Sequence, residues 1–294
     1  MFKYLRLKQK REKFVVDSGR LTAEWLSQDE CFPATLKQIN DLPEGAKRRI
    51  YRALLPPTLL SQFDIDPINW KKHDDFELFL KAEKESGEVN LSIQSKNDAV
   101  EEVFCLQLMD NAFNGIDLNF IHVSDPGSPR FGIDRDKDGR LTLFGKASRN
   151  LEEEQRAMQA GLAPGQVRRG LSIFKTICQQ VEAFIATCGH RAFYLEPLTY
   201  ASACLFERHG FAYVKGHKLM DDIQKMFQPG KELFKALDGS TPFRLPEQWL
   251  TVRGRAWAIH DGILDVIDEK WDNLRMIKRV GRHAGVETFP DAAY

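Results

Sequence analysis

The residues with the clearest chemical potential lie in one stretch, Gly165-Gln166-Val167-Arg168-Arg169-Gly170-Leu171-Ser172. A glycine-containing turn with two arginines here feeds an amphipathic segment, Leu171 to Thr187. In it Ile173, Phe174, Ile177, Val181, Phe184 and Ile185 recur at helical spacing. The first turn of a helix leaves backbone N–H groups unpaired and carries positive potential, which makes it an anion site. Gly170 would let a phosphate come close to the backbone, and Arg168 and Arg169 would add charge. The same arginines also fit a solvated helix face.

A second pattern is Asp134-Arg135-Asp136-Lys137-Asp138-Gly139. Asp134, Asp136 and Asp138 occupy the first, third and fifth places of a calcium-loop spacing. The twelfth place, where such loops need a bidentate glutamate, holds Gly145. A polar hairpin turn with aspartates for local hydrogen bonding is the competing reading, and no metal is expected. The histidines show no HxH or HExxH spacing, and neither Gly-x-Ser-x-Gly nor a P-loop occurs. Cys31, Cys105, Cys178, Cys188 and Cys204 are odd in number and widely spaced, as reduced, buried thiols would be.

The elements that must position these groups fall into three zones. From 1 to 87 the chain reads mostly helical. Segments at Thr22–Ser27, Leu36–Asn40 and Ala46–Leu55 are expected to be helices, the last stopped by Pro56-Pro57. Asp74–Glu85 has Phe76, Phe79, Leu80 and Ala82 on one helical face, and Phe14–Val16 suggests a short strand. Met1 to Lys13 is basic and has no apolar segment after it. From 88 to 217, Val103–Met109 and Ile116–Val123 read as strands about an Asn114-Gly115 hairpin. Phe131–Asp134 and Arg140–Phe144 read as another strand pair. An extra helix over Leu151–Gly161 comes next. The pattern then becomes helix, the strand Arg191–Leu195, the helix Tyr200–His209 and the strand Phe211–Val214. From 218 to 294 the chain returns to helix, with a broad apolar face over Arg255–Val280.

The order strand, glycine turn, long helix, strand, short helix ending in Leu205-Phe206-Glu207-Arg208-His209-Gly210-Phe211, strand resembles the GNAT superfamily of acyl-CoA N-acyltransferases. Val167-Arg168-Arg169-Gly170-Leu171-Ser172 is similar to that family's turn, whose amides hold the pyrophosphate of coenzyme A. Thr199, Ser202, Leu205, Phe206, Glu207, Gly210 and Phe211 are similar to its second helical motif. The resemblance covers roughly 88 to 217. It implies an α/β (α+β) fold with a largely antiparallel, mixed central sheet and helical additions at both ends. It also implies acyl-CoA as cosubstrate, with Gln166 to Ser172 as its binding turn.

In such an enzyme an amine attacks the thioester, and a backbone N–H on the strand before the turn, expected at Arg140–Phe144, receives the oxyanion. Glu196 is the general-base candidate. Phe206 stands where many members carry a tyrosine acid, so Tyr194 and Tyr200 are the nearest replacement phenols.

Composition sets outer bounds on function. The 294 residues carry 42 basic and 42 acidic side chains, so there is no global basic footprint for nucleic acid. No apolar run approaches the ~20 residues of a membrane span, and a cytoplasmic location is expected. The expected activity is acyl transfer from a CoA or carrier-protein thioester to an amine. The alternative is a catalytically inactive binding or scaffold module, a homodimer through Arg255–Val280 being one form of it.

Overall fold

The computed structural model describes residues 33–66, 70, 75–96, 102–290 and 292–294. The expected elements at Phe14–Val16 and Thr22–Ser27, and the basic segment Met1 to Lys13, lie outside the described residues. The architecture is mixed α/β: among the described residues seven strands form one mostly antiparallel sheet, in which the first five lie side by side in chain order and the seventh lies between the fifth and the sixth. The chain forms two compact units, each discontinuous in sequence. One comprises Met1–Ser124, Gly170–Leu195 and Ile277–Arg282. The other comprises Asp125–Arg169, Glu196–Met276 and His283–Tyr294.

The first unit opens with three short helices, α1 (Leu36–Asn40), α2 (Glu44–Tyr51) and α3 (Pro57–Gln62), α2 running into a 3-10 turn over Arg52–Leu54. Helix α1 is pinned at its N-terminus by a Thr35–Gln38 capping box. The Asp110 carboxylate adds to it, accepting from the amides of Leu36 (2.8 Å) and Lys37 (2.9 Å). An antiparallel meander follows: β1 (Phe76–Lys81), β2 (Glu88–Ser95), β3 (Glu102–Asp110) and β4 (Ile116–Val123). Its inward face carries Val89, Leu91, Ile93, Phe104, Leu106 and Leu108, all buried, as period-two alternation requires. Helix α5 (Phe174–Thr187) contributes Ile177, Val181, Phe184 and Ile185 to the core, and β5 (Ala192–Leu195) contributes Phe193.

Two expected helices are corrected. Asp74–Glu85 contains the strand β1. Leu78 turns inward while Phe79 is 42% exposed, and a turn with Glu85 at φ 64° joins β1 to β2. Arg255–Val280 is three elements: α9 (Val252–His260), a 3-10 segment Ile263–Ile267 and the strand β7 (Arg275–Arg279). Left-handed backbone at Gly262 (φ 81°), Asp268 (φ 55°) and Asn273 (φ 57°) breaks the helix. The single long helix expected there, the one a dimer seam would follow, is not formed. Phe131–Asp134 and Arg140–Phe144 are not strands either. The one isolated bridge nearby, Arg135↔Leu141, begins just past the first segment, and Leu143 and Phe144 both adopt positive φ.

The second unit contains α4 (Leu151–Gln159), α6 (Tyr200–Arg208), β6 (Ala212–Lys215), α7 (His217–Met226), α8 (Glu232–Lys235) and α9. Its larger core gathers Tyr200, Ala203, Cys204, Met220, Ile223, Phe227 and Val252. A smaller one stacks Phe243 on Trp257, whose indole N–H donates to Leu162 O at 2.8 Å. Arg255 is fully buried. Its guanidinium lies 3.4 Å from the Phe289 ring centroid and 5.0 Å from that of Phe227, so aromatic faces take the place of a carboxylate partner.

Candidate active site

The site takes shape in the first unit, where β5 ends at Leu195 while β4 runs on to Val123. These parallel strands pair at one position, Asp117↔Tyr194. Between β3 and β4 the register slips: Leu108 faces Leu118, but Gln107 faces Phe120. Asn119 is therefore an extra residue on β4, a β-bulge, and a bulge bends and twists the strand that carries it. Past the bulge, alternate backbone amides of Phe120 to Val123 point to the edge away from β3, where no register with β5 is made. The strand preceding the turn is thus β4, not Arg140–Phe144.

The turn meets the end of β4. A Cβ built on Gly170 would lie 3.4 Å from Val123 O, so this glycine permits a close backbone approach. Ser172 is held at φ 59°. Helix α5 then starts with Ile173 as its N-cap, a side chain with nothing to offer the free amides, and no acidic residue lies in its first turn. Its second residue is Lys175, exposed. A cation at a helix N-terminus opposes the dipole, so this end stays strongly positive in the protein alone. Gly170 and Ser172 are exposed as well, and Leu171 is half-buried.

The residues before Gly170 belong to the second unit and are occupied locally. Gln166 accepts from the Ala163 amide through its side chain at 2.8 Å. Val167 O accepts from Phe131 N at 2.9 Å. Arg168 donates to the carbonyls of Ser128 and Pro126, and Arg169 to that of Ala160 at 3.3 Å. The Arg169 backbone also bonds Ser128 Oγ and Asp125 N. Both arginines thus brace the loop around Asp125–Ser128.

Tyr194 is half-buried on β5. Glu196, just past the strand, is exposed, with Arg275 Nη1 at 3.5 Å. Tyr200 is 1% exposed and stands edge-on to Trp271, with ring centroids 6.0 Å apart. Burial, and then the neighbouring Cys204, push its phenol far above the ordinary tyrosine range. The Cys204 thiol is itself pushed up to about 12, chiefly by burial. Neither group is open to solvent.

The second motif's residues prove to be architectural. Thr199 and Ser202 form a capping box on α6. Phe206 packs edge-on against Phe211, with centroids 5.0 Å apart. Glu207, 2% exposed, accepts from Tyr213 Oη (2.6 Å), Thr288 N (2.9 Å) and Thr288 Oγ1 (2.8 Å). His209 caps the helix end, donating from Nδ1 to Leu205 O at 2.8 Å. Gly210 sits at φ 83°, where a Cβ would come 2.8 Å from His283.

The three loop aspartates are also engaged. Asp134 pairs with Arg130 at 2.8 Å. Asp136 Oδ1 caps the amides of Asp138 and Arg140, and Asp138 lies 3.1 Å from Arg140 Nη1. Among the described residues no three His, Cys, Asp or Glu side chains are gathered as a metal site would require. Cys105, Cys178, Cys188 and Cys204 are free thiols and buried.

Compared with protein-family models, curated proteins and solved structures, the chain finds no match. Among the described residues, no helix is long and apolar enough to cross a membrane.

Proposed function

We propose that the protein is an acyltransferase of the GNAT type, taking an acyl group from a CoA or carrier-protein thioester to an amine. One observation carries this reading: β4 runs on past the end of β5, with which it shares a single pair, and its end lies beside a helix N-terminus that nothing on its own side chains neutralises. Ligands of parallel βαβ units collect at the carboxyl ends of the strands, where such a helix begins. The diphosphate of the donor would lie on the amides of Gly170 to Lys175, with Lys175 adding charge. The thioester would lie along the edge of β4 beyond the end of β5, where an outward amide of β4 could receive the oxyanion. The amine nitrogen attacks the carbonyl carbon, the C–S bond breaks, and the one proton the nitrogen loses ends on the departing sulfur by way of the base. Glu196 is the carboxylate nearest in sequence to the end of β5 that could accept the amine's proton.

A second reading is favoured by a specific observation. Phe206 is buried against Phe211, while Tyr200 and Cys204 are enclosed, so α6 presents no open acid for the leaving thiolate. The fold would then bind a thioester or another anion without turning it over.

The two are separated by calorimetric titration with acetyl-CoA and a long-chain acyl-CoA, followed by thiol release in the presence of amines. Micromolar binding with thiol release supports the enzyme, and binding without release supports the inactive module. No binding of either thioester, or of an acylated carrier protein, removes the enzyme and a module that binds thioesters.

A further inference from the structure

The outward face of the first unit's meander holds a cavity of about 390 Å3, whose lining includes Lys81, Glu83, Glu88, Asn90, Gln107 and Asn119. Three of these are amides in successive strands. Asn90 on β2 pairs in register with Gln107 on β3, and Asn119 is the bulge residue of β4. Without the bulge, the residues of β4 beyond it would shift by one and change faces. The bulge thus places an exposed amide beside the other two.

The buried Cys105 orients two of the three. Its thiol, held protonated by burial, donates to Asn90 Oδ1 at 3.5 Å and accepts from Gln107 Nε2 at 3.8 Å. That leaves the Asn90 amino group and the Gln107 carbonyl to meet a ligand, a donor and an acceptor side by side. Charge completes the picture. Lys81 lies 3.4 Å from Glu83, so the two largely offset each other and Glu88 remains as the carboxylate. Leu108 and Val89, its only apolar lining residues among those described, are buried. Nothing aromatic is among its lining residues, and apolar binding has little to work with.

We infer that this cavity is a binding site for a small cationic amine that also carries hydroxyl or amide groups, read by Asn90, Gln107 and Asn119 and attracted by Glu88. The inference rests on the transferase reading in calling this ligand the acyl acceptor. Its carrier strand, β4, is the one whose outer edge lies beside the proposed donor site, and the bulge serves both. Two sources share the chemistry, an amino sugar and a peptide N-terminus.

The test follows the side-chain amide resonances of the full-length protein by two-dimensional NMR, with no thioester present. The probes are glucosamine, glycylglycinamide and the uncharged N-acetylglucosamine. The Asn90, Gln107 and Asn119 amides are expected to shift with at least one amine at millimolar concentration, and not with the uncharged sugar. Whichever amine binds more tightly identifies the source. Glu88→Gln should weaken that binding at least threefold. The exposed Asn119→Ala should weaken it without altering thermal unfolding. Absence of shifts with both amines, or equal response to the uncharged sugar, overturns the inference. CoA and an acylated carrier protein titrated into the same samples separate the outcomes. Amine binding with binding of neither CoA nor an acylated carrier protein keeps the cavity and sinks the transferase, whereas the reverse sinks only the cavity.

Discussion

Lys175→Glu should make the protein more stable and the proposed donor site weaker, by amounts that follow from where the residue stands. Lys175 is the second residue of α5, exposed, behind an N-cap of Ile173 and in a first turn without any acid. Removing a cation from a helix N-terminus and adding an anion there each contribute about 0.3–1 kcal/mol, so a gain of about 1 kcal/mol is expected. For a chain of this size that is about 2 °C in Tm. The effect on a bound diphosphate has the opposite sign. At about 8 Å in a water-like dielectric each pair of unit charges is worth about 0.5 kcal/mol. Reversing one charge against two phosphate charges changes four such pairs, about 2 kcal/mol. Screening near 0.15 M salt, with a Debye length of about 8 Å, cuts this to about 1 kcal/mol. Affinity for acyl-CoA should fall roughly fivefold, more at low salt. Thermal unfolding and calorimetric titration on one sample set read both quantities, and Lys175→Gln should give half of each. A stabilised variant with unchanged acyl-CoA affinity would refute placement of the diphosphate on α5.

Other expectations concern what holds the second unit together. Glu207→Ala leaves the Tyr213 hydroxyl and both Thr288 donors without their acceptor inside the protein. A loss of about 2–4 kcal/mol in denaturant unfolding is expected, and a loss under about 0.5 kcal/mol would show that the segment around Thr288 is not anchored there. Glu154 is buried, which alone would raise its pKa, but bonds from His260 and Arg149 together hold it below the usual 4.5. Its unfolded form binds a proton first as pH falls. Its contribution is therefore present at neutral pH and lost as the pH drops below about 4.5, through the folded pKa. The stability gap between wild type and Glu154→Gln should accordingly narrow between pH 7 and pH 3. A gap independent of pH would mean the carboxylate's charge is not what Arg149 and His260 stabilise.

Local signals carried much of the fold's legibility. Leu36–Asn40 and Ile116–Val123 form at the bounds their patterns predict, and α5 begins only three residues later than its apolar periodicity suggests. Misreadings arose where a pattern fits two periods. Phe76, Phe79, Leu80 and Ala82 satisfy helical spacing, but Leu78 belongs inward only in a strand, and the deciding factor is β2, which pairs along β1's whole length. Val89, Leu91 and Ile93 alternate with Glu88, Asn90 and Ser92, a period-two stripe that marks β2 itself. Over Arg255–Val280 the apolar residues continue across Gly262. Asp268 and Asn273 also take left-handed backbone there, which their short polar side chains tolerate and which no periodicity count registers.

The candidate site was legible in its turn and silent in its geometry. Gly170 and the following helix were visible as an anion site, yet the arginines that drew notice spend donors on loop carbonyls, while Lys175, one turn later, stands at the helix end. A cation in a first turn is locally unfavourable, and that mismatch was the readable signal for it. No comparable signal exists for Asn119. A bulge depends on how β3 and β4 register against each other, so the residue left over between Leu118 and Phe120 beside Asn90 and Gln107 is selected by strand pairing and not by its own neighbours in sequence. The motif at Leu205–Phe211 shows the converse. Its glutamate, glycine and aromatic residues have specific structural tasks in clamping Thr288, admitting His283 and packing the end of α6. A motif of that kind specifies how a helix is held, and the chemistry must then be sought on the strand edge and helix end of the other unit.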